Sequence, residues 1–269
     1  MEKKPRLRRK IDQFVLMFMC RCKLFLRGLR SGGLGQERVA RKKIYVHIGT
    51  HKTGTTSIQD FMRRHTRLLE KCGILVPRSG THKWRKGHHN IAWDIRSDPL
   101  LEPGCGGVDD LICELRAADE SVALISSEDF EYLVQYPNEL RQFHARLLGA
   151  GYEPIYLIFF RNKTDYMKSL RLELKKQAID EPLDWFESEI REHRRILVNG
   201  DWYYDFDYDR FLNNWKAAVG ESVLAFDYDR ACASPGLLPF FFETVGASKE
   251  VIAASGSSPR LNISKTGRA

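Results

Sequence analysis

Apolar residues along this chain fall into two periods. Short runs dense in β-branched and aromatic residues, at 44–48, 122–125, 155–160 and 223–226, read as buried strands. Between them, apolar positions recur at helical spacing. Ile58, Phe61, Met62 and Leu68 predict a helix opening at Thr55, and further helices are predicted around Ile91 and Leu111, over 138–148, and from Thr164, Pro182, Tyr208 and Leu237. A short apolar piece lies at 74–76. Strands alternating with helices predict the α/β class, three layers with a central, mostly parallel sheet and helices on both faces. Ligands of such a sheet bind at the carboxyl ends of its strands. At 269 residues the chain holds one large domain rather than two.

One strand end carries the clearest chemistry. The run IYVHIGTHKTGTTSIQ, from Ile44 to Gln59, is a strand ending at Gly49, a loop, and a helix entered through Thr55, Thr56 and Ser57. Unpaired N–H groups and the positive end of the helix dipole then face the loop, so an anion belongs there. Gly49 and Gly54 allow backbone angles and approaches that a Cβ would block. A nucleotide triphosphatase loop has lysine directly after its second glycine. Here that position is Thr55, and the lysine is Lys52, two residues before Gly54.

A second strand, at 155–160, runs directly into Arg161, with Asn162 or Thr164 positioned to cap the helix that follows and Ser169 eight residues on. An arginine fork grips two phosphate oxygens at once. The Lys52-x-Gly54-Thr55-Thr56 loop, with Arg161 and Ser169, resembles the P-loop sulfotransferases that use 3′-phosphoadenosine 5′-phosphosulfate as donor. The stretches GHHNIAWDI from Gly87, VALISSEDF from Val122 and FDYDRFLNNW from Phe206 are similar to bacterial members, and Arg260, Asn262 and Ser264 resemble a closing R-x-N-x-S element. The resemblance spans roughly residues 43–245.

It implies a three-layer P-loop fold and transfer of a sulfuryl group to an acceptor hydroxyl, with a saccharide or glycoconjugate as the expected acceptor. Donor contacts are expected from His51, Lys52, Thr53, Gly54, Thr55, Thr56 and Ser57 on the 5′ side, and from Arg161 and Ser169 on the 3′-phosphate. Lys52 is expected to act on the leaving oxygen. Because the transferring group is singly charged, no metal is expected in the chemistry. The acceptor's proton needs a base, for which Glu128, just past the strand at 122–125, and His89, beside His88, are equal candidates. His47 reads as a hydrogen-bonded core residue, and DWYYDFDYD from Asp201 as a surface turn, its alternative an acceptor flank whose aromatic faces stack on sugar rings. The family usually continues as a helix past the closing element, so a domain truncated at Ala269 is also expected.

Charge divides sharply along the chain. The net charge is +8, yet residues 1–43 alone carry +11 and the remainder −3. The folded part therefore has no basic excess for a duplex, and nucleic acid is set aside as principal ligand. Residues 1–42 read as a basic tail and linker before a domain at 43–269. Within the tail, residues 8–30 form an amphipathic stripe whose uncharged apolar stretch is far short of the roughly 20 residues that span a bilayer. The tail reads either as a helix lying on an anionic membrane surface from the cytoplasmic side or as a disordered basic arm. Six cysteines without paired C-x-x-C spacing read as reduced. Two other readings stay open: a P-loop kinase or nucleotide hydrolase, against which the displaced lysine stands, and a truncated, non-catalytic nucleotide-binding protein.

Overall fold

A computed structural model describes residues 41–82, 84–199 and 202–258. The basic tail and the Arg260, Asn262, Ser264 element lie outside the described residues.

Five strands form a wholly parallel sheet. They are β1 (Lys42–Gly49), β2 (Ile74–Leu75), β3 (Val122–Ser126), β4 (Tyr152–Phe160) and β7 (Val223–Asp227), in the order β2-β3-β1-β4-β7. The other two strands, β5 (Arg195–Asn199) and β6 (Trp202–Asp205), pair antiparallel as a separate hairpin.

Side-chain alternation along β1 and β4 divides the core in two. Ile44, Val46, Ile48, Tyr156 and Ile158 pack on one face. That face is covered by α3 (His89–Ile95), α4 (Val108–Ala117), α5 (Pro137–Gly149) and α8 (Tyr208–Val219), through Ile91, Leu111, Phe143 and Trp215 among others. Tyr45, Leu157 and Phe159 pack on the opposite face. There they meet α1 (Thr55–Arg64), α2 (Thr66–Lys71), α10 (Leu237–Thr244) and α11 (Lys249–Gly256), through Ile58, Phe61, Leu69, Phe241 and Val251. The expected α/β class with helices on both faces is what the structure has.

A third cluster builds a side lobe from α6 (Lys163–Lys176), α7 (Leu183–His193) and the β5–β6 hairpin, with Tyr166, Leu170, Phe186, Ile196 and Tyr204 at its centre. Short α9 (Tyr228–Ala231) follows β7.

Two expectations need correcting. The helix predicted from Thr55 through Leu68 is broken at His65, whose φ of −112° and ψ of 22° leave the helical region. The run from Asp201, read as a surface turn, instead supplies β6. Its signal was the Asn199-Gly200 pair, a strong hairpin mark between apolar-rich segments.

Candidate functional site

The chain leaves β1 toward β2 on one side, whereas it leaves β4 toward β7 on the other. Between β1 and β4 the sheet therefore has a switch point, where the outgoing loops part and leave a crevice. A cleft of about 1930 Å³ opens there, and His51, Lys52, Gly54, Thr55, Thr56, Ser57, His89, Glu128, Arg161 and Ser169 all line it. Of the expected site residues only Thr53 is not on its wall; Thr53 is fully buried and its hydroxyl donates to the Thr50 carbonyl, closing the loop from within.

The loop's conformation is set by three left-handed residues, Gly49 (φ 81°), Lys52 (φ 63°) and Gly54 (φ 76°). The left-handed backbone angle at Gly54 favours glycine, and a Cβ there would also push the tip of Leu237 aside. Gly54 is also the N-cap of α1 and offers no side-chain oxygen. Ser57 and Ile58 donate back to the Gly54 carbonyl, at 2.9 and 3.4 Å. Among the described residues, nothing accepts from the N–H groups of Gly54, Thr55 and Thr56. Thr55 Oγ1 and Arg161 Nε are likewise buried without a protein partner. Donors that cost free energy when left bare are gathered on one wall, and a polyanion suits them.

Lys52 reaches across the cleft to α6, where its Nζ lies 3.2 Å from Glu173 Oε2. Glu173 also accepts from Lys176 at 2.8 Å. The Lys176 hydrogen bond, opposed by burial and aided by Lys52, holds the Glu173 carboxyl below its usual range. Sequence reading gave no sign of this partner, because 121 residues separate Lys52 from Glu173. Arg161 Nη1 donates to the Lys52 carbonyl at 3.3 Å, and its guanidinium lies 5.6 Å from the centre of the Tyr228 ring. The β1 and β4 loops are thus joined through the lysine's own backbone.

His51 was expected to contact the donor. It lines the cleft and is held there by other side chains. Its backbone N–H and its Nδ1 both donate to Glu131 Oε2, at 2.8 and 2.6 Å, and Nε2 lies 3.2 Å from the Tyr132 hydroxyl. Burial alone would lower the pKa of His51, but the hydrogen bond and charge of Glu131, with Glu128 and Asp129 nearby, outweigh it and raise the value. The His51 imidazole, clamped to a buried carboxylate, fixes the loop next to Lys52.

The base candidates separate clearly in their surroundings. Glu128 begins a 3-10 helix (Glu128–Gln135), and its Oε2 accepts from Gln59 Nε2 at 2.9 Å. His89 begins α3, with Nδ1 lying 3.0 Å from Asp129 Oδ2 and 3.0 Å from Ser127 Oγ. Burial would raise the Asp129 carboxyl, but the hydrogen bond and charge of His89, with His51 and Arg96 beyond, hold it below its ordinary value. An ionised Asp129 keeps the proton on Nδ1 and leaves Nε2 as the acceptor.

His88 has no such freedom. Its Nε2 donates to the Pro77 carbonyl at 3.0 Å, and its Nδ1 accepts from the Ser126 N–H at 3.2 Å. Burial lowers its pKa to about 4. His47 is a core residue, as expected, with Nδ1 2.8 Å from Ser126 Oγ and a pKa that burial lowers to about 3.

Sequence reading offered only the Asp201 run as an acceptor flank and missed the rest of the aromatic wall of the cleft. Trp93, Tyr132, Trp202, Tyr204 and Tyr228 all line it, with Arg85 and Arg96 stacked on Trp93 and Tyr132 at 4.8 and 5.0 Å.

No protein-family model matches the chain, and no curated protein matches it. Among solved structures it is similar to the sulfotransferase from Alicyclobacillus acidocaldarius, with 17% sequence identity, a TM-score of 0.43, and coverage of 78% of this chain and 83% of that one. So loose a likeness transfers no residue roles, and those assigned here rest on the chain's own geometry.

Proposed function

We propose that the chain is a sulfotransferase that moves a sulfuryl group from 3′-phosphoadenosine 5′-phosphosulfate to an acceptor hydroxyl. The observation that carries this reading is the combination of bare N–H groups at Gly54, Thr55 and Thr56 with a lysine that stands before the glycine and faces Arg161 and Ser169 in one cleft. The donor supplies an activated sulfuryl group whose departure leaves negative charge on a phosphate oxygen.

Each residue then has a definite task. The Gly54, Thr55 and Thr56 N–H groups and the Thr55 hydroxyl hold the 5′-phosphate. Lys52 exchanges Glu173 for the oxygen on which charge develops, a stabilisation of roughly 3–4 kcal/mol per preorganised donor. Arg161 and Ser169 hold the 3′-phosphate. His51, through Glu131, keeps Lys52 in its left-handed conformation. His89 is the base: Asp129 orients its ring and retains the Nδ1 proton, so Nε2 takes the proton of the acceptor. Glu128 positions the wall through Gln59.

An acceptor with a saccharide ring is supported by the aromatic faces of Trp93, Tyr132, Trp202 and Tyr204 on the cleft wall. Peripheral membrane contact from the cytoplasmic side rests on the amphipathic pattern of residues 8–30 alone. Among the described residues no helix is long and apolar enough to cross a membrane.

One observation favours a kinase: Glu128 and Asp129 follow β3, beside the loop, where nucleotide triphosphatases hold magnesium. Calorimetry separates the two readings. Adenosine 3′,5′-bisphosphate should bind without metal and lose affinity in Arg161→Ala. Preference for ATP with Mg²⁺, unaffected by that substitution, would replace the sulfotransferase by a kinase.

A further inference from the structure

Outside the cleft, three side chains of different chemistry converge on the loops that flank α3. His82 Nδ1 is 3.4 Å from Glu102 Oε1 and 3.5 Å from Cys105 Sγ, and that sulfur is 3.6 Å from Glu102 Oε2. One ligand atom from each lies within 4.8 Å of the others. A tetrahedral zinc ion, with bonds of about 2.0–2.1 Å to nitrogen and oxygen and about 2.3 Å to sulfur, sets its ligand atoms roughly 3.3–3.6 Å apart. The histidine's edges, 3.4 Å to Oε1 and 3.5 Å to Sγ, match that figure; the sulfur's 3.6 Å edge runs to the other carboxylate oxygen, so the exposed Glu102 carboxylate turns to offer one oxygen to both.

The convergence is built by backbone. Glu102 and Cys105 bracket a 3-10 turn (Pro103–Cys105), in which side chains three apart stand on the same side. Asn90 of α3 locks the turn: its Nδ2 donates to the Glu102 and Gly106 carbonyls at 3.0 and 2.6 Å, and its Oδ1 accepts from the Glu102 N–H at 2.8 Å. The Gly80 N–H donates to the Cys105 carbonyl at 2.8 Å, which ties the turn to the loop that bears His82. The His82 side chain is only 4% exposed and meets the edge of Trp93 at 5.2 Å. Glu102 is 65% exposed and leaves one side open to solvent.

We propose that His82, Glu102 and Cys105 are three ligands of a zinc ion whose fourth position is open to water. A set of one imidazole, one thiolate and one carboxylate suits zinc, whereas calcium and magnesium take oxygen alone. The Cys105 thiol releases its proton on binding, and His82 coordinates as neutral imidazole. The ion pins the loop that carries Arg85, which lies 4.8 Å over Trp93 on the wall of the cleft. It takes no part in group transfer, so the site stands whether or not the donor reading holds.

Cobalt substitution tests it on the full chain. Co²⁺ added to metal-free protein should produce a thiolate-to-metal charge-transfer band that saturates at one ion per chain and is displaced by Zn²⁺. The band should be lost in Cys105→Ser and in His82→Gln, and kept in Cys113→Ser. No such band in the wild-type chain overturns the proposal, as does a band that survives in Cys105→Ser. The wild-type titration decides even if a variant fails to fold.

Discussion

The two helices that leave the central strands invite comparison. Both α1, after β1, and α6, after β4, begin at the carboxyl edge of the sheet, where their N-termini present unpaired N–H groups. At α6 the chain satisfies itself: Asn162 Oδ1 accepts from Thr164 and Asp165, at 3.0 and 3.4 Å, and Asp165 places a carboxylate in the first turn. At α1 the cap is Gly54, no side chain accepts, and the first turn has no acid. Three of the five described helices after α6 are also capped by side chains, those of Asp207, Asp227 and Ser248. A capped terminus stabilises the fold, and the bare one, beside buried, unpartnered Thr55 Oγ1, is the terminus at which a ligand is proposed.

The strongest way to break this contrast is Lys52→Ala. Turnover should fall by roughly a hundred- to a thousandfold, as for loss of one preorganised donor, while bisphosphate binding survives. Rates within a few fold of wild type would remove Lys52 from the chemistry.

Acid should act next, through the buried histidines. The folded pKa of His88 is lowered to about 4 from 6.5, so its contribution is present above pH 6.5 and is lost as pH falls toward 4, roughly 3 kcal/mol in all. The His51–Glu131 pair has the opposite sign. With the His51 pKa raised, its contribution is full below pH 6.5 and lost as pH rises through the folded value. Denaturant melts of His51→Gln should show a deficit at pH 6 that shrinks in alkali; a deficit constant with pH would show the pair is not ionic.

Arg161→Ala should weaken adenosine 3′,5′-bisphosphate by about 1.5–3 kcal/mol, the worth of a charge-assisted hydrogen bond, and leave adenosine 5′-phosphate nearly unchanged. Equal weakening of both in calorimetry would take the 3′-phosphate away from this residue. The smallest effect belongs to the other terminus. Asn162→Ala should cost about 1 kcal/mol of stability for its lost cap and leave bisphosphate affinity intact, as read by parallel melts and titrations. A large affinity loss would mean that α6 also meets the ligand.

Much of the fold was legible because strand and helix periods differ and glycine marks the turns. The β1 loop was readable as an uncapped, lysine-bearing entry to a helix since its glycines, threonines and lysine are contiguous. The hairpin β5–β6 escaped because Trp202 and Tyr204 read as polar-interrupted surface, whereas they pack against Tyr132 and His51 of distant elements. The candidate base was undecidable for a similar reason: Glu128 and His89 differ only in their neighbours, Gln59 for one and Asp129 for the other.

Sequence by itself determined the α/β class, the bare helix terminus at Gly54, the displaced lysine, and the arginine at the end of β4, because each is written within a few consecutive residues whose local geometry follows from their own chemistry. Only the tertiary structure decided that Lys52 meets Glu173, that His51 is clamped by Glu131, that His88 is spent on Pro77 and Ser126, and that His82 converges with Glu102 and Cys105. Those pairings join residues far apart in the chain, and their partners are chosen by the register of the sheet and the packing of helices on it.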